Sequence, residues 1–193
     1  MKKITVLLLL TLPIMTGFAQ SAKLTNAINY LKDFRNNNDL ESLQKAKENI
    51  DLIAQNPEAK EPAKVQKVKG EVYIALFESN LKKQTDKLAN IADPTTRTLT
   101  AYKNTSANEL DEAVKAFKAA KGADAKGIYA LDISNGNAVI LNHYFNKGNA
   151  SFGDENNKTL SLQMYESASA LDETNDTSLL NNLAASALRS EEH

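Results

Sequence analysis

The sequence predicts an all-α protein built from antiparallel helical hairpins, and three observations support this prediction. Apolar residues recur at intervals of three and four along most of the chain, capping residues precede several of these segments, and no convincing β-strand alternation appears. With 193 residues, 42% of them hydrophobic, the chain suffices for one domain or one short array of repeats.

The first 19 residues have the features of a secretory signal peptide. Two lysines precede an apolar run over 4–15, and Gly17 and Ala19 supply small residues near a cleavage site. The run is shorter than the roughly 20 residues that a bilayer core requires, so a membrane anchor is the weaker interpretation. We therefore expect a signal peptide over 1–19 and a helical domain over 20–193.

Composition limits the compartment and the kinds of partner. The chain has no cysteine, so it has no acceptor for an N-terminal lipid, no disulfide and no thiolate ligand. Removing Lys2 and Lys3 with the signal leaves 21 basic and 24 acidic residues, a net charge of about −3. This balance argues against nucleic-acid binding, which needs a strongly basic face. We expect a protein of a bacterial periplasm or a secreted protein, without stable membrane insertion after signal cleavage.

The first two predicted helices form a hairpin. Apolar positions at helical spacing cover 24–31, and a polar turn follows at 35–39, where Asp39 can cap the next helix. The second stripe covers 43–53 and stops before Pro57. Helices joined by so short a turn lie antiparallel.

The third and fourth helices have clear start signals. Pro62 suits the first turn of a third helix, which we expect to reach about Ala89. The segment 93–105 is Thr-rich and opens with Asp-Pro, which fits either a loop or a short capped helix. Ser106 and Glu109 have the spacing of a capping box, so the fourth helix begins directly after Ser106.

Glycines and polar clusters divide the rest of the chain. We expect Gly122 to end the fourth helix as a left-handed cap, a short helix over 123–131, and a turn at 134–137. Three further helices are predicted, over 139–145, over 160–171 and, after Asp176 as N-cap, over 179–188.

Two short stretches carry the pattern of a known repeat. In the stretch DEAVKAFKAA, Ala113, Phe117 and Ala120 follow one another at intervals of four and three. In the stretch GEVY, Gly70 stands three residues before Tyr73. These stretches resemble the second and first helices of a tetratricopeptide repeat, in which helical hairpins stack into an α-solenoid.

The resemblance implies that the alanines let helices approach closely, that the ring fills the space between them, and that the glycine permits close contact. In degenerate form it covers nearly all of the chain after the signal. The implied packing positions are Ala46 and Ile50 in a first unit, Gly70, Tyr73, Ala113, Phe117 and Ala120 in a second, and Gly148, Phe152, Tyr165 and Ala168 in a third.

The repeat spacing is irregular. Ile50, Phe117 and Tyr165 stand 67 and 48 residues apart, whereas the ideal period is about 34. We therefore expect a long insertion between the helices of the second unit and an extra helix before the third. The segment 174–188 resembles the first helix of a fourth unit, so it either forms a terminal cap or the chain is a piece of a longer repeat protein. A plain helical bundle is the alternative to repeats, since its helices show the same spacing.

The resemblance also implies a binding surface on the first helices of the units. The residues implied to face it are Lys64, Lys67, Glu71 and Ile74 in the second unit and His143 and Asn146 in the third. A surface of Lys, Asn and Ile suggests a partly acidic peptide or protein as partner. For the lysines, a solvated charged helix face is the alternative.

Familiar catalytic and metal-binding motifs are absent from the sequence. It has two histidines, His143 and His193, and neither a Gly-x-Ser-x-Gly nor a GxxxxGK[ST] stretch. The segment 153–157 lacks the acidic spacing of a calcium loop and is interpreted as a turn. We expect no catalytic residue, no metal and no cofactor.

Three functions remain open at this point. The layout resembles that of exported tetratricopeptide-repeat proteins of Gram-negative bacteria, and this resemblance implies an exported, non-enzymatic scaffold for protein or peptide binding. A helical domain that binds a small molecule or a glycan is the main alternative. An enzyme using Asp and Glu would need two converging carboxylates, and the sequence presents no such pair.

Overall fold

The computed structural model describes residues 2–56, 59–152, 154–172 and 176–191, with the side chains of 2–19, 155 and 191 left out. These residues form eight α-helices and one 3₁₀ turn and contain no strand, which confirms the all-α prediction. The helices are α1 Lys2–Asn37, α2 Leu40–Ala54, α3 Pro62–Lys87, α4 Pro94–Asn104, α5 Asn108–Ala123, α6 Ala130–Phe152, α7 Lys158–Ser169 and α8 Thr177–Glu191.

The chain divides into two compact units. Unit 1 comprises residues 1–72 and 115–130, and unit 2 comprises residues 73–114 and 131–193. Helices α3 and α5 each contribute one part to unit 1 and the other part to unit 2. The predicted signal peptide corresponds to the N-terminal part of α1 and stays a prediction.

The α1–α2 hairpin of unit 1 is set by its two-residue connection. Asn38 adopts a positive φ of 53°, and its N–H donates to the Phe34 carbonyl at 2.7 Å, which closes α1. Asp39 then caps α2, since its carboxylate accepts from the Glu41 N–H at 3.0 Å and from the Ser42 hydroxyl at 2.7 Å. The apolar stripes of α1 and α2 face each other and are buried.

The glycine of α3 in unit 1 lies directly against an aromatic ring of α5. Phe117 is 1% exposed, and a methyl group added at Gly70 would lie 2.6 Å from its ring. Such a distance is well inside van der Waals contact, so the two helices can approach this closely only because Gly70 has no side chain.

Unit 2 repeats this arrangement with other residues. A methyl group added at Gly148 of α6 would lie 2.7 Å from the ring of Tyr165 in α7. Tyr165 is 1% exposed, and its hydroxyl donates to the Asn149 side chain at 2.6 Å. Helix α7 packs in turn against α8, where the buried hydroxyls of Ser161 and Ser186 are hydrogen-bonded at 3.2 Å.

The positions that the sequence assigned to helix packing are mostly interior. Phe152 is half-buried, with its ring 4.8 Å from the Arg189 guanidinium. The others are buried, namely Ala46, Ile50, Gly70, Tyr73, Ala113, Phe117, Ala120, Gly148, Tyr165 and Ala168.

Two predicted boundaries around Gly122 are wrong. Helix α5 runs through Gly122 to Ala123, and the positive φ expected there occurs at Gly127, at 66°. The predicted helix over 123–131 is mostly a loop over 124–129, because the Asp124 carboxylate accepts from two backbone N–H groups of the loop itself. Local side-chain hydrogen bonds therefore replace the first turn of a helix.

The predicted turn at 134–137 is also wrong, because this segment lies inside α6. Ile133, Ile140 and Tyr144 lie on one buried stripe of α6, and burial of that stripe outweighs the turn propensity of Ser, Asn and Gly. The undecided segment 93–105 forms α4, capped by Asp93, whose carboxylate accepts from the Thr96 N–H at 2.7 Å.

The predicted capping box at α5 forms only in part. The Ser106 hydroxyl accepts from the Asn108 N–H at 3.2 Å instead of from Glu109. The Glu109 carboxylate accepts from the Asn80 amide at 2.9 Å instead of reaching back to Ser106. The hydrogen bond from Asn80 on α3 therefore takes the place of the capping-box bond between Glu109 and Ser106. The predicted stop at Pro57 lies outside the described residues.

Two alanine substitutions test the glycine contact. We expect Gly70→Ala to destabilise the protein by about 1 to 3 kcal/mol, because its methyl group overlaps the buried Phe117 ring. Gly122→Ala is the matched control, since a methyl group there meets nothing within 4 Å, and it should stabilise the helix by about 0.5 to 1 kcal/mol. Urea unfolding followed by circular dichroism measures both changes, and equal stability of the two variants would contradict the contact.

Candidate functional site

Unit 1 contains a groove between α1 and α3 with a volume of about 340 Å³. On each helix the residues that line the groove recur at i, i+3, i+4 and i+7, so they share one face. On that face, charged residues stand next to the buried apolar stripe. The groove is lined by Ile28, Leu31, Lys32, Arg35 and Asn36 from α1, by Lys64, Lys67, Val68 and Glu71 from α3, and by Tyr129.

The floor of the groove is apolar. Leu31 and Val68 are each 2% exposed, and Ile28 is half-buried beside them. A floor of branched side chains excludes water and favours an apolar part of a ligand. Leu31 and Val68 also belong to the core of unit 1, so their packing holds α1 and α3 in place on the two sides of the groove.

Cationic side chains surround this floor. The groove is lined by four cations and one carboxylate, that of Glu71. Lys67 is the most shielded cation, with 16% of its side chain exposed, whereas the side chains of Lys64 and Arg35 are 35% and 55% exposed. The protein as a whole is slightly acidic, so the positive charge of the groove is local.

Two ion pairs involve Glu71. Its Oε1 lies 2.9 Å from Nζ of Lys67, one turn earlier on α3, and its Oε2 lies 3.9 Å from Nη1 of Arg35 on α1. Glu71 thereby bridges the two helices across the groove. Lys64 pairs instead with Glu61 at 3.4 Å, and Lys32 is exposed.

Tyr129 supplies an aromatic wall of the groove. Its backbone N–H donates to Oδ2 of Asp124 at 2.6 Å, which sets the loop that carries it. Nζ of Lys67 lies 5.9 Å from the centre of the Tyr129 ring, within range of a cation–π contact. Tyr129 was not among the predicted binding residues, because the sequence pattern indicated a helix here and the loop position of Tyr129 depends on the Asp124 hydrogen bonds.

The residues that were predicted to bind a partner belong to two different units. Lys64, Lys67 and Glu71 line the groove of unit 1. Ile74 is 9% exposed, which makes it an interior residue of unit 2. His143 and Asn146 also belong to unit 2, where both contact the hydroxyl of Tyr102. His193 lies outside the described residues.

The His143 cluster has the properties of a packed polar network. Nδ1 of His143 lies 3.0 Å from the Tyr102 hydroxyl, Nε2 lies 3.5 Å from a Glu78 oxygen, and the Phe77 ring lies 4.8 Å from the imidazole. Burial raises the pKa of Tyr102, so its phenol stays protonated at neutral pH. A protonated phenol that is 7% exposed is suited to hydrogen bonding and poorly suited to nucleophilic attack.

Lys147 is a buried cation of unit 2 whose burial no sequence pattern indicated. It is 3% exposed, and its ammonium donates to the carbonyls of Tyr102, at 2.8 Å, and Thr105. These carbonyls belong to the C-terminal end of α4, where a cation is favourable. Burial lowers the pKa of Lys147 from 10.5 to about 8.

Within the described residues, no group of three or more His, Asp and Glu side chains could hold a metal ion. None of the described helices has the length and apolar character that a membrane span requires.

No protein-family model, no curated protein and no solved structure matches the chain.

The buried ammonium of Lys147 predicts a pH dependence of stability. The folded state binds this proton more weakly than the unfolded state, so stability should rise between about pH 8 and the unfolded pKa of 10.5, by up to about 1.4 kcal/mol per pH unit. Urea unfolding at about pH 7.5 and about pH 9.5 measures this slope. Burial raises the pKa of Tyr102, and raises that of Tyr165 to about 12, so these phenols oppose the rise only as the pH approaches the ordinary tyrosine pKa of about 10, where the unfolded chain begins to lose their protons.

Lys147→Met is the control for this measurement. It keeps an unbranched apolar chain of similar length and removes the titrating group, so its stability should lack the rise seen for the parent protein. Parallel pH profiles of the parent and the variant would contradict the role of Lys147.

Proposed function

We propose that this chain is an exported, non-enzymatic scaffold of tetratricopeptide-like hairpins that binds a partly acidic segment of a protein or peptide partner. The observation that carries the proposal is the groove of unit 1, with its apolar floor and its rim of Lys32, Arg35, Lys64 and Lys67. Export rests on the signal pattern over 1–19, which belongs to a periplasmic or secreted protein.

The glycine–ring contacts support the repeat interpretation. In both units a glycine on one helix faces a buried ring on a later helix, Gly70 with Phe117 and Gly148 with Tyr165. Gly148 and Tyr165 are 17 residues apart, whereas Gly70 and Phe117 are 47 apart, and the sequence between Gly70 and Phe117 includes α4, which belongs to unit 2. This difference fits one hairpin with an insertion and one without.

Charge favours an acidic partner segment. Lys64 and Lys67 stand one turn apart on the same face of α3, and Arg35 extends from α1 on the other side of the groove. Lys67 is partly shielded from water, and such a charge is screened less by salt than a fully exposed one. Carboxylates of an extended segment can pair with the rim while its apolar side chains contact the half-buried Ile28 on the floor.

A small anionic molecule is the second candidate. The groove volume of about 340 Å³ lies near the lower end of the range typical of small-molecule sites. Tyr129 and the apolar floor provide the mixed lining that such ligands need. Citrate, a compact tricarboxylate, distinguishes this candidate from a peptide segment.

Charge reversal in the groove tests the proposal. The probe is a hexaglutamate peptide, acetylated and amidated at its ends, titrated by calorimetry at low ionic strength. We expect Lys64→Glu/Lys67→Glu to weaken binding about tenfold or more, because it turns the lining charge from net positive to net negative. Circular dichroism should show unchanged helical content.

The matched control reverses two exposed lysines on the same helix. Lys82→Glu/Lys83→Glu changes the total charge by the same amount at positions far along α3, and it should leave binding within about twofold. Equal losses in both variants would show that binding follows total charge and would contradict the groove assignment. Binding of citrate as tight as that of hexaglutamate would favour the small-molecule candidate.

A further inference from the structure

The groove already contains one carboxylate, that of Glu71. Its side chain is 24% exposed, and both of its oxygens face cations of the groove, Oε1 towards Lys67 and Oε2 towards Arg35. Any carboxylate of a ligand that pairs with these two cations must therefore compete with Glu71. The exchange trades one ion pair for another of the same chemistry, so it contributes little net affinity.

The other two cations lie outside this bridge. Lys64 pairs with Glu61, whose side chain is 53% exposed, and Lys32 is exposed on α1. A ligand with several carboxylates can reach Lys32 and Lys64 in addition to the bridged pair. A ligand with one carboxylate can take only one of these positions, and at the bridge it gains almost nothing.

We propose that Glu71 is a specificity-determining residue that makes the groove select segments with several clustered carboxylates over segments with one. Glu71 acts as a competing anion held on α3. A ligand that binds Arg35 and Lys67 must replace the ion pairs that these cations form with Glu71, and its own interactions must outweigh that loss. The inference rests on the proposed function, since it assumes that the groove binds acidic segments. It differs from that function in assigning the selectivity to one residue.

Two capped peptides and three variants test this inference. The peptides are hexaglutamate and a hexapeptide with one glutamate among five glutamines, both acetylated and amidated. Glu71→Gln should tighten hexaglutamate binding about threefold to tenfold and should tighten the single-glutamate peptide by a larger factor, so that the ratio of the two affinities falls. Glu71→Asp, which keeps the charge on a shorter stem, should lie between the parent and Glu71→Gln.

Glu41→Gln is the matched control. Glu41 also forms an i,i+4 pair with a lysine, Lys45 at 2.6 Å, but on α2 and away from the groove lining. Glu41→Gln removes the same charge as Glu71→Gln but away from the groove, so it should change both peptide affinities by less than about twofold. Equal tightening by Glu41→Gln and Glu71→Gln would overturn the inference.

The remaining outcomes separate the inference from the proposed function. If the parent protein binds hexaglutamate and loses it in Lys64→Glu/Lys67→Glu, but Glu71→Gln leaves the affinity ratio unchanged, the role of Glu71 is overturned and the groove stands. If neither the parent nor Glu71→Gln binds either peptide at millimolar concentration, both are overturned. Binding of the single-glutamate peptide by Glu71→Gln alone supports both.

Discussion

The contact between Gly70 and the Phe117 ring is the constraint on which the geometry of unit 1 depends. The ring occupies the volume that a side chain at Gly70 would fill, so α3 can meet this part of α5 with only one face. One residue corresponds to about 100° around a helix, and Lys67 and Glu71 stand three residues before and one residue after Gly70. The contact therefore fixes the direction in which Lys67 and Glu71 point. The close packing of α3 on α5 thus determines where these two charges lie.

Unit 2 contains the same kind of glycine–ring contact, but there polar groups surround it. Gly148 receives the ring of Tyr165, whose hydroxyl is bonded to Asn149, and the nearby Ser161 hydroxyl donates to the Gly148 carbonyl at 3.1 Å. There the polar groups around the close contact are satisfied by one another. Lys147 belongs to the same part of α6 and binds the end of α4, so the charge in unit 2 is used to hold a helix in place.

Helix positions were predictable from the sequence where burial decides them, and less so where local hydrogen bonds compete. The stripes of α1 and α2 follow from apolar spacing, and the start of α3 follows from Pro62, whose missing N–H suits a first helical turn. The loop over 124–129 does not, because it depends on the Asp124 carboxylate. In the groove, Lys64, Lys67 and Glu71 were indicated by the resemblance to the first helix of a repeat, which assigns them to one face of α3. Arg35 and Tyr129 were not, because their place depends on how α1 and the loop approach α3, which no periodicity encodes.

A double-mutant cycle between Gly70 and Phe117 tests the central constraint most directly. The cycle combines Gly70→Ala with Phe117→Leu, which trims the ring that the added methyl group would overlap, and measures the free energy of unfolding of all four proteins in urea. If the ring and the missing side chain share one volume, the double variant should be more stable than the sum of the single changes predicts, by about 1 kcal/mol or more. Additive changes, within about 0.3 kcal/mol, would mean that the two residues do not compete for space and would contradict the account.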